Sequence, residues 1–258
     1  MENKNCQICS SNDIILVYEK DYSSPYLFNG KINTLFFKQC YSCGFVFLDN
    51  PIDETELKSF YKNLGHLQGL SNSLLNNIQY DFILKNITTS IDSVLDVGCS
   101  DAEFLSLFNE ETIKYGNDVR KEAIISNNQI NYIEGYFENL KIDKKFDLIS
   151  LRHVLEHFTD INVNIRKAYN LLSNDGFLYI EVPDLYYFKE VTNSNNGFFF
   201  EHISYFSIIT LVQLLKNHNF NIIDLKQDVN PSESLQAYGV LRVLAQKKLK
   251  ISQENLTS

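Results

Sequence analysis

The stretch Ser93-Val94-Leu95-Asp96-Val97-Gly98-Cys99-Ser100-Asp101-Ala102 decides how this chain is read. A short apolar run ends in glycine, passes through small residues and opens a helical pattern over about 102–108. That is a strand turning tightly into a helix. In an open α/β sheet, the carboxyl end of the first such strand is where a ligand sits. Asp118 closes the next strand, 22 residues after Asp96, where a carboxylate can grip ribose hydroxyls. A dinucleotide would ask for three glycines beside its pyrophosphate, and this loop has one. It also opens on Asp96, whose charge repels phosphate and suits a cation. S-adenosylmethionine, with its ammonium and sulfonium and no phosphate, is such a ligand. The competing reading is an ordinary strand–helix turn.

Outward from this turn, strands are expected at 114–118, 131–134, 146–151 and 176–182, with helices at 120–127 and 162–172. Alternation at this pace means a parallel sheet covered on both faces. Upstream, Pro51-Ile52-Asp53 opens a helix with Asp53 as N-cap and Glu56 as its capping-box partner. A second helix over 73–86 carries Leu74, Leu75, Ile78, Phe82, Ile83 and Leu84 as its apolar residues. Downstream, a helix at 208–217 precedes strand-like runs at 221–225 and 237–245. The polar loop between them contains Pro231 and no helical pattern, so the two runs are expected to pair antiparallel.

Four of the five cysteines form two knuckles, Cys6-Gln7-Ile8-Cys9 and Cys40-Tyr41-Ser42-Cys43, 30 residues apart. A two-residue gap lets both thiolates of a knuckle face one tetrahedral ion, and two knuckles complete a four-thiolate zinc shell. Such a shell leaves no open position, so the zinc is expected to be structural. Apolar stretches at 14–18, 35–37 and 45–48 read as the short strands of a zinc ribbon. Two disulfides are the alternative, disfavoured where thiols stay reduced. A nucleic-acid module is disfavoured too, because residues 1–50 hold four Lys, no Arg and five acids.

The whole chain of 258 residues has a net charge of -9, which speaks against a polyanion partner. No apolar run approaches the ~20 residues of a bilayer span, and the first residues lack the apolar core of a signal peptide. The expectation is a cytoplasmic protein acting on a small molecule, without nucleic acid or membrane, and with its oligomeric state open. Its expected parts are a zinc ribbon at 1–50, a helical linker at 51–90 and a ligand-binding domain at 91–250.

Over about 90–247 the chain resembles the class I S-adenosylmethionine-dependent methyltransferases. Val94-Leu95-Asp96-Val97-Gly98-Cys99 looks like their first motif, and the closing antiparallel pair like their topological mark. The resemblance implies a Rossmann-like, seven-stranded α/β fold, mostly parallel with the last strand antiparallel. It implies Asp96, Gly98, Cys99 and Ser100 along the methionine part of the cofactor, and Asp118 with Val119 at the ribose. Phe137 and Glu138 would border the adenine, and Arg152 and His153 would line the cofactor. With its four cysteines, Leu151-Arg152-His153-Val154-Leu155-Glu156-His157 and Phe199-Phe200-Glu201-His202-Ile203-Ser204-Tyr205-Phe206, the chain further resembles zinc-ribbon methyltransferases of deoxysugar and surface-polysaccharide biosynthesis, sugar C-methyltransferases among them. Longer relatives carry a further nucleotide-fold-like domain after the seventh strand, which this sequence does not include.

Methyl transfer is an in-line displacement in which the protein orients the acceptor and often removes its proton. Histidine is the natural base near neutral pH. His202, beside Glu201 in an aromatic segment after the fifth strand of the sheet, is the expected base, with His157 as runner-up. The polar segment 193–197 reads as part of a lid over the substrate. The expected acceptor is a nucleotide-activated sugar or another capsule or lipopolysaccharide precursor. A phosphorylated non-sugar precursor and a catalytically silent binding protein are the alternatives.

Overall fold

The computed structural model describes residues 5–23, 32–53, 55–57, 73–119, 129–187, 198–230 and 238–248. The helix expected at 120–127, the segment 193–197 and the loop around Pro231 lie outside them. Strands β1 (Ile14–Tyr22), β2 (Asn33–Cys40) and β3 (Val46–Leu48) precede helix α1 (Ser73–Leu84). Then come β4 (Ser93–Val97), α2 (Glu103–Ser106), β5 (Ile113–Asp118), β6 (Ile130–Glu134), β7 (Phe146–Arg152), α3 (Ile161–Leu171) and β8 (Leu172–Pro183). The two-residue β9 (Ser204–Tyr205), α4 (Ile208–Asn217), β10 (Phe220–Asn230) and β11 (Tyr238–Lys247) follow.

The large sheet has the order β10-β11-β8-β7-β4-β5-β6. Strands β4 to β8 run parallel, while β11 is antiparallel to both β8 and β10. This is the parallel sheet that the alternating pattern implied, in the seven-stranded form with an antiparallel last strand that the resemblance implied. All five residues of β4 are buried, as expected of a strand covered on both faces. Two of the covering helices, α3 and α4, start on side-chain caps. Asp160 accepts from the Val163 N–H at 2.9 Å, and Ser207 forms a capping box with Thr210.

Helix α1 differs from the expectation. Its buried face carries Asn76 and Gln79 beside Phe82 and Ile83, while Leu74 and Leu84 are exposed. The two polar residues are buried because they bind a guanidinium beneath them, described below. The helix expected over 102–108 is a single turn, continued by i−3 bonds from Leu107 to Phe104 and from Phe108 to Leu105.

A second, four-stranded sheet has the order β1-β2-β3-β9, all antiparallel. Its first three strands are those read near the cysteines. The fourth comes from the far end of the chain, with Val46 opposite Tyr205 and Phe47 opposite Ser204. Among the described residues, no helix is long and apolar enough to cross a membrane.

Inside the large sheet, Cys99 is buried and its Sγ would lie 2.8 Å from a Cβ built on Gly116 of β5. The thiol fills the space that Gly116 leaves empty, so it acts as a small apolar group. Gly116→Ala should therefore destabilise the fold by about 1–3 kcal/mol through overpacking, and adding Cys99→Ala should recover part of the loss. Denaturant melts of the single and double variants check this; a single variant as stable as wild type would contradict it.

Candidate active site

The turn after β4 is shaped by its backbone. Gly98 N and Cys99 N both donate to the Asn117 carbonyl, at 2.7 and 3.0 Å. Gly98 has φ +68°, and a Cβ there would stand 2.4 Å from Cγ2 of Val154, so only glycine fits. Ser100 and Ala102, with φ of 52° and 60°, share the left-handed backbone although they carry a Cβ. That conformation costs roughly 1–2 kcal/mol per residue. At the end of β5, Asp118 is buried, and its Oδ2 accepts from Ser100 N at 3.0 Å. The turn and the acidic strand end are thus pinned to each other, and Val119 beyond them is exposed.

Asp96 is fully buried and bound within the protein. Its Oδ1 accepts from the Ser150 hydroxyl at 2.6 Å, and its Oδ2 from Arg152 at 2.7 Å. The same guanidinium donates to Asn76 and Gln79 of α1, each at 2.9 Å, and lies 4.1 Å from the Phe104 ring centroid. Asp96 and Arg152, both expected at the cofactor, form one ion pair there.

His153 continues the chain of charges. It holds a left-handed φ of 54° and sits between two buried carboxylates, with Nε2 3.1 Å from Glu181 and Nδ1 3.4 Å from Glu156. Burial works against its protonation, but Glu156 and Glu181 outweigh that and raise its pKa well above the ordinary histidine value. In return, Glu156 is brought down to about 2 against its own burial, chiefly by His153. Glu181 is likewise held below the usual carboxylate range, by His153 and Arg242. Glu181 also accepts from Gln79, Asn230, Tyr179 and Arg242, the last at 2.6 Å. Sequence reading gave Glu181 and Arg242 no role. Their signal was present: each is a lone charge in an apolar strand, and the antiparallel register sets them directly opposite each other.

The expected bases meet. The rings of His157 and His202 lie 4.9 Å apart, edge to face, with Phe199 5.3 Å from His202. Nδ1 of His157 is 2.9 Å from the backbone carbonyl of Glu201. A carbonyl only accepts, so Nδ1 carries the proton and Nε2 the lone pair of the neutral ring. Glu201 therefore serves His157 through its backbone. Burial, together with neighbouring His157, pushes His202 down to about 3, opposed by Glu156, so its ring is neutral at physiological pH. Glu156, His157 and His202 bring potential ligand atoms within 4.8 Å of one another.

Phe137 departs from the expectation that it lies against a base. It is 2% exposed, stacks on Phe158 with centroids 6.2 Å apart, and belongs to the core. A phenyl ring has no polar edge to leave in water, and full burial is its most favourable state. Glu138 beside it is half-buried, and its backbone carbonyl accepts from Lys167 at 2.9 Å.

Cys6, Cys9, Cys40 and Cys43 converge at the amino-terminal end, with Sγ–Sγ distances of 3.6 Å for Cys6–Cys43 and 3.5 Å for Cys9–Cys40. Tetrahedral thiolates with bonds near 2.3 Å stand about 3.8 Å apart. The four sulfurs are already at nearly that spacing, so the donor set fits a zinc ion.

A family model described as a methyltransferase domain matches residues 62–225. The C-methyltransferase NovU of Streptomyces niveus is 32% identical over 80 residues, which are 30% of this chain and 18% of that protein. Malonyl-[acyl-carrier protein] O-methyltransferase of Calditerrivibrio nitroreducens is 27% identical over 120 residues, 45% of this chain and 48% of its own. The aligned segments span less than half the length of either relative. The structure of 1,6-didemethyltoxoflavin-N1-methyltransferase from Burkholderia thailandensis, with bound 1,6-didemethyltoxoflavin and S-adenosylhomocysteine, superposes with a TM-score of 0.58 at 16% identity. It covers 80% of this chain and 95% of that one, a likeness of fold.

The sign of the buried network's pH dependence follows from its members. His153, raised above its unfolded pKa, contributes stability in full below about pH 6.5, and loses it as pH rises through the folded value. Glu156 and Glu181, both depressed, contribute above about pH 4.5 and lose their contribution as acid protonates them. The melting temperatures of wild type and His153→Gln should therefore differ most near pH 6 and converge on alkaline titration. A gap that stays constant or widens toward high pH would show that His153 carries no charge.

Proposed function

We infer that this chain, which belongs to the methyltransferase-domain family, transfers the methyl group of S-adenosylmethionine to a small polar acceptor. The observation that carries the reading is the turn after β4, with Gly98 forced by Val154 and the Asp118 carboxylate tied to Ser100 N. It lies on the same edge of a parallel sheet as the paired histidines. Asp118 would hold the ribose and the Gly98 turn would admit the methionine part. The cofactor, when bound, supplies a methyl group already activated on a sulfonium.

The chain's own residues then have to orient the acceptor and take its proton. We propose His202 as the base. It is neutral at physiological pH and enclosed by Phe199 and Tyr205; burial weakens it as a base in the free protein, and the nearby ionised Glu156 opposes that weakening. His157, with Nε2 as its lone-pair nitrogen, is the alternative carrier. The proposed acceptor is a nucleotide-activated sugar or another surface-polysaccharide precursor. Supporting it are the resemblance carried by the ribbon and the Glu201-His202 pair, and the C-methyltransferase name of NovU. The acidic balance of the chain favours such a metabolite over nucleic acid. The four cysteines are proposed to hold one structural zinc.

Titration calorimetry should show S-adenosylmethionine binding to the wild type and about ten-fold weaker binding to Asp118→Ala, through loss of charge-assisted hydrogen bonds. Equal affinities would remove Asp118 from the site. In a mass-based screen of nucleotide sugars, His202→Asn should cut turnover by roughly two orders of magnitude at nearly unchanged cofactor affinity. A large loss in His157→Asn alone would move the base there. Elemental analysis of reduced, freshly purified protein should find about one zinc per chain; none would refute the metal assignment.

A further inference from the structure

Both knuckles of the ribbon touch the candidate site, each next to one of the paired histidines, and β1 and β2 add contacts to Phe198 and Tyr205. In the first knuckle, Nε2 of Gln7 donates to the Thr159 carbonyl at 3.1 Å, and its Oε1 accepts from Ile161 N at 3.0 Å. The Gln7 backbone carbonyl accepts from Asn162 at 2.8 Å, and that of Ile8 from Asn217 at 2.8 Å. These bonds fix the chain within five residues after His157. From the second knuckle, β3 runs directly against the strand that follows His202. Leu48 N donates to the Ile203 carbonyl at 2.9 Å, and the β3–β9 ladder continues the contact. Phe45 packs on Phe206 with centroids 5.6 Å apart.

The two anchored segments are also joined to each other. Ile203 N donates to the Glu156 carbonyl at 2.8 Å, and His157 Nδ1 donates to the Glu201 carbonyl. A closed loop of contacts results: first knuckle, the segment after His157, the segment around His202, β3, second knuckle. The convergence of the four cysteine sulfurs closes the loop at its far side. The two segments are bonded directly to each other, and the knuckles brace that pair from both sides.

We propose that the ribbon is a positioning device for the two histidines, with Gln7 as a positioning residue and the four-cysteine centre as the clasp. The proposal rests on the reading of this site as the place of methyl transfer. It adds that the ribbon belongs to the catalytic apparatus and is not an appended binding module. The His202 segment has a further anchor in β1 and β2, through Tyr22 and the Phe198 carbonyl at 2.8 Å and through Phe37 packed on Phe198 and Tyr205, whereas the His157 side is held by Gln7, so Gln7 is where the proposal is tested most directly. The side chain of Gln7 makes two hydrogen bonds to the segment, a small part of what holds the fold, so its loss should release the segment locally without unfolding the sheet.

The test needs no acceptor, so it can fail independently of the methyl-transfer reading. Gln7→Ala, prepared with its metal, is compared with wild type by amide exchange, zinc content, calorimetry with S-adenosylmethionine, and nitrogen-15 spectra of the histidine rings. Exchange at 155–162 should accelerate about ten-fold, with less than about two-fold change at 93–97. The His157 Nδ1–H signal should broaden or vanish, while zinc content and cofactor affinity hold. Gln7→Glu keeps the acceptor for Ile161 N and should restore part of the protection. Chelating the zinc from wild type should extend the faster exchange to 203–206. The proposal is overturned if the His157 signal and the exchange at 155–162 are unchanged in Gln7→Ala. It is equally overturned if chelation leaves 203–206 as protected as before, or if every segment loosens together.

Discussion

Glu181 lies in an interior strand of the large sheet with no access to water, and an isolated carboxylate could not stay ionised there. The surrounding structure meets that constraint. Arg242 comes from the antiparallel neighbour, His153 from the end of β7, Gln79 from α1 and Asn230 from β10. Arg152 then needs a counter-charge of its own and finds it in Asp96, while Glu156 is balanced by His153. Buried charge is weak evidence of stability, because desolvation consumes much of the attraction. What it enforces is arrangement: each member is costly to leave unpaired, so the ends of β4, β7, β8 and β11 can meet in one way.

The fold was largely legible in the sequence, and the reason is periodicity. Nearly continuous apolar runs such as Val94–Val97 and Phe177–Val182, each interrupted by one acid, read as strands buried on both faces, and the helices between them announce parallel pairing. What escaped notice is what looks like surface when read alone. Asn76 and Gln79 have the composition of a solvated helix face and are buried because Arg152 is under them. The left-handed Ser100 and Ala102 carry no glycine to mark them. At two residues, β9 is too short to carry any alternation, and its pairing with β3 is a matter of tertiary position. The site divides in the same way. The residues of the turn and the two histidines were found by motif, while the network beneath them was hidden in strands that read as core.

The two sheets differ in how they are held. The large one is packed on both faces by extensive apolar clusters, one of which also takes in Ile8, Phe45 and Phe47 of the amino-terminal part, and α3 and α4 are capped by their own side chains. The small one has a core of five fully buried residues, Leu35, Phe37, Val46, Leu48 and Tyr205, with rings such as Phe198 packed on it. So little apolar area does not hold a sheet by itself. The convergent cysteines, the shared strand and the packing of Ile8, Phe45 and Phe47 into the larger core supply what the small core lacks, which holds this small sheet beside the candidate site.

That shared strand has a consequence for the order in which the molecule is made. During synthesis the knuckles and β1 to β3 leave the ribosome first, and the chain grows at about 5–20 residues per second. Their fourth strand is encoded more than 150 residues later, beyond the whole parallel sheet. The amino-terminal sheet must therefore wait, with β3 as an open edge, until the parallel strands β4 to β8 have been produced. An unpaired edge is a template for other strands, and the brevity of β3, at three residues, limits what can pair with it during that interval. Completion of the ribbon is thus a late event in biogenesis, arriving together with the histidine segment it embraces.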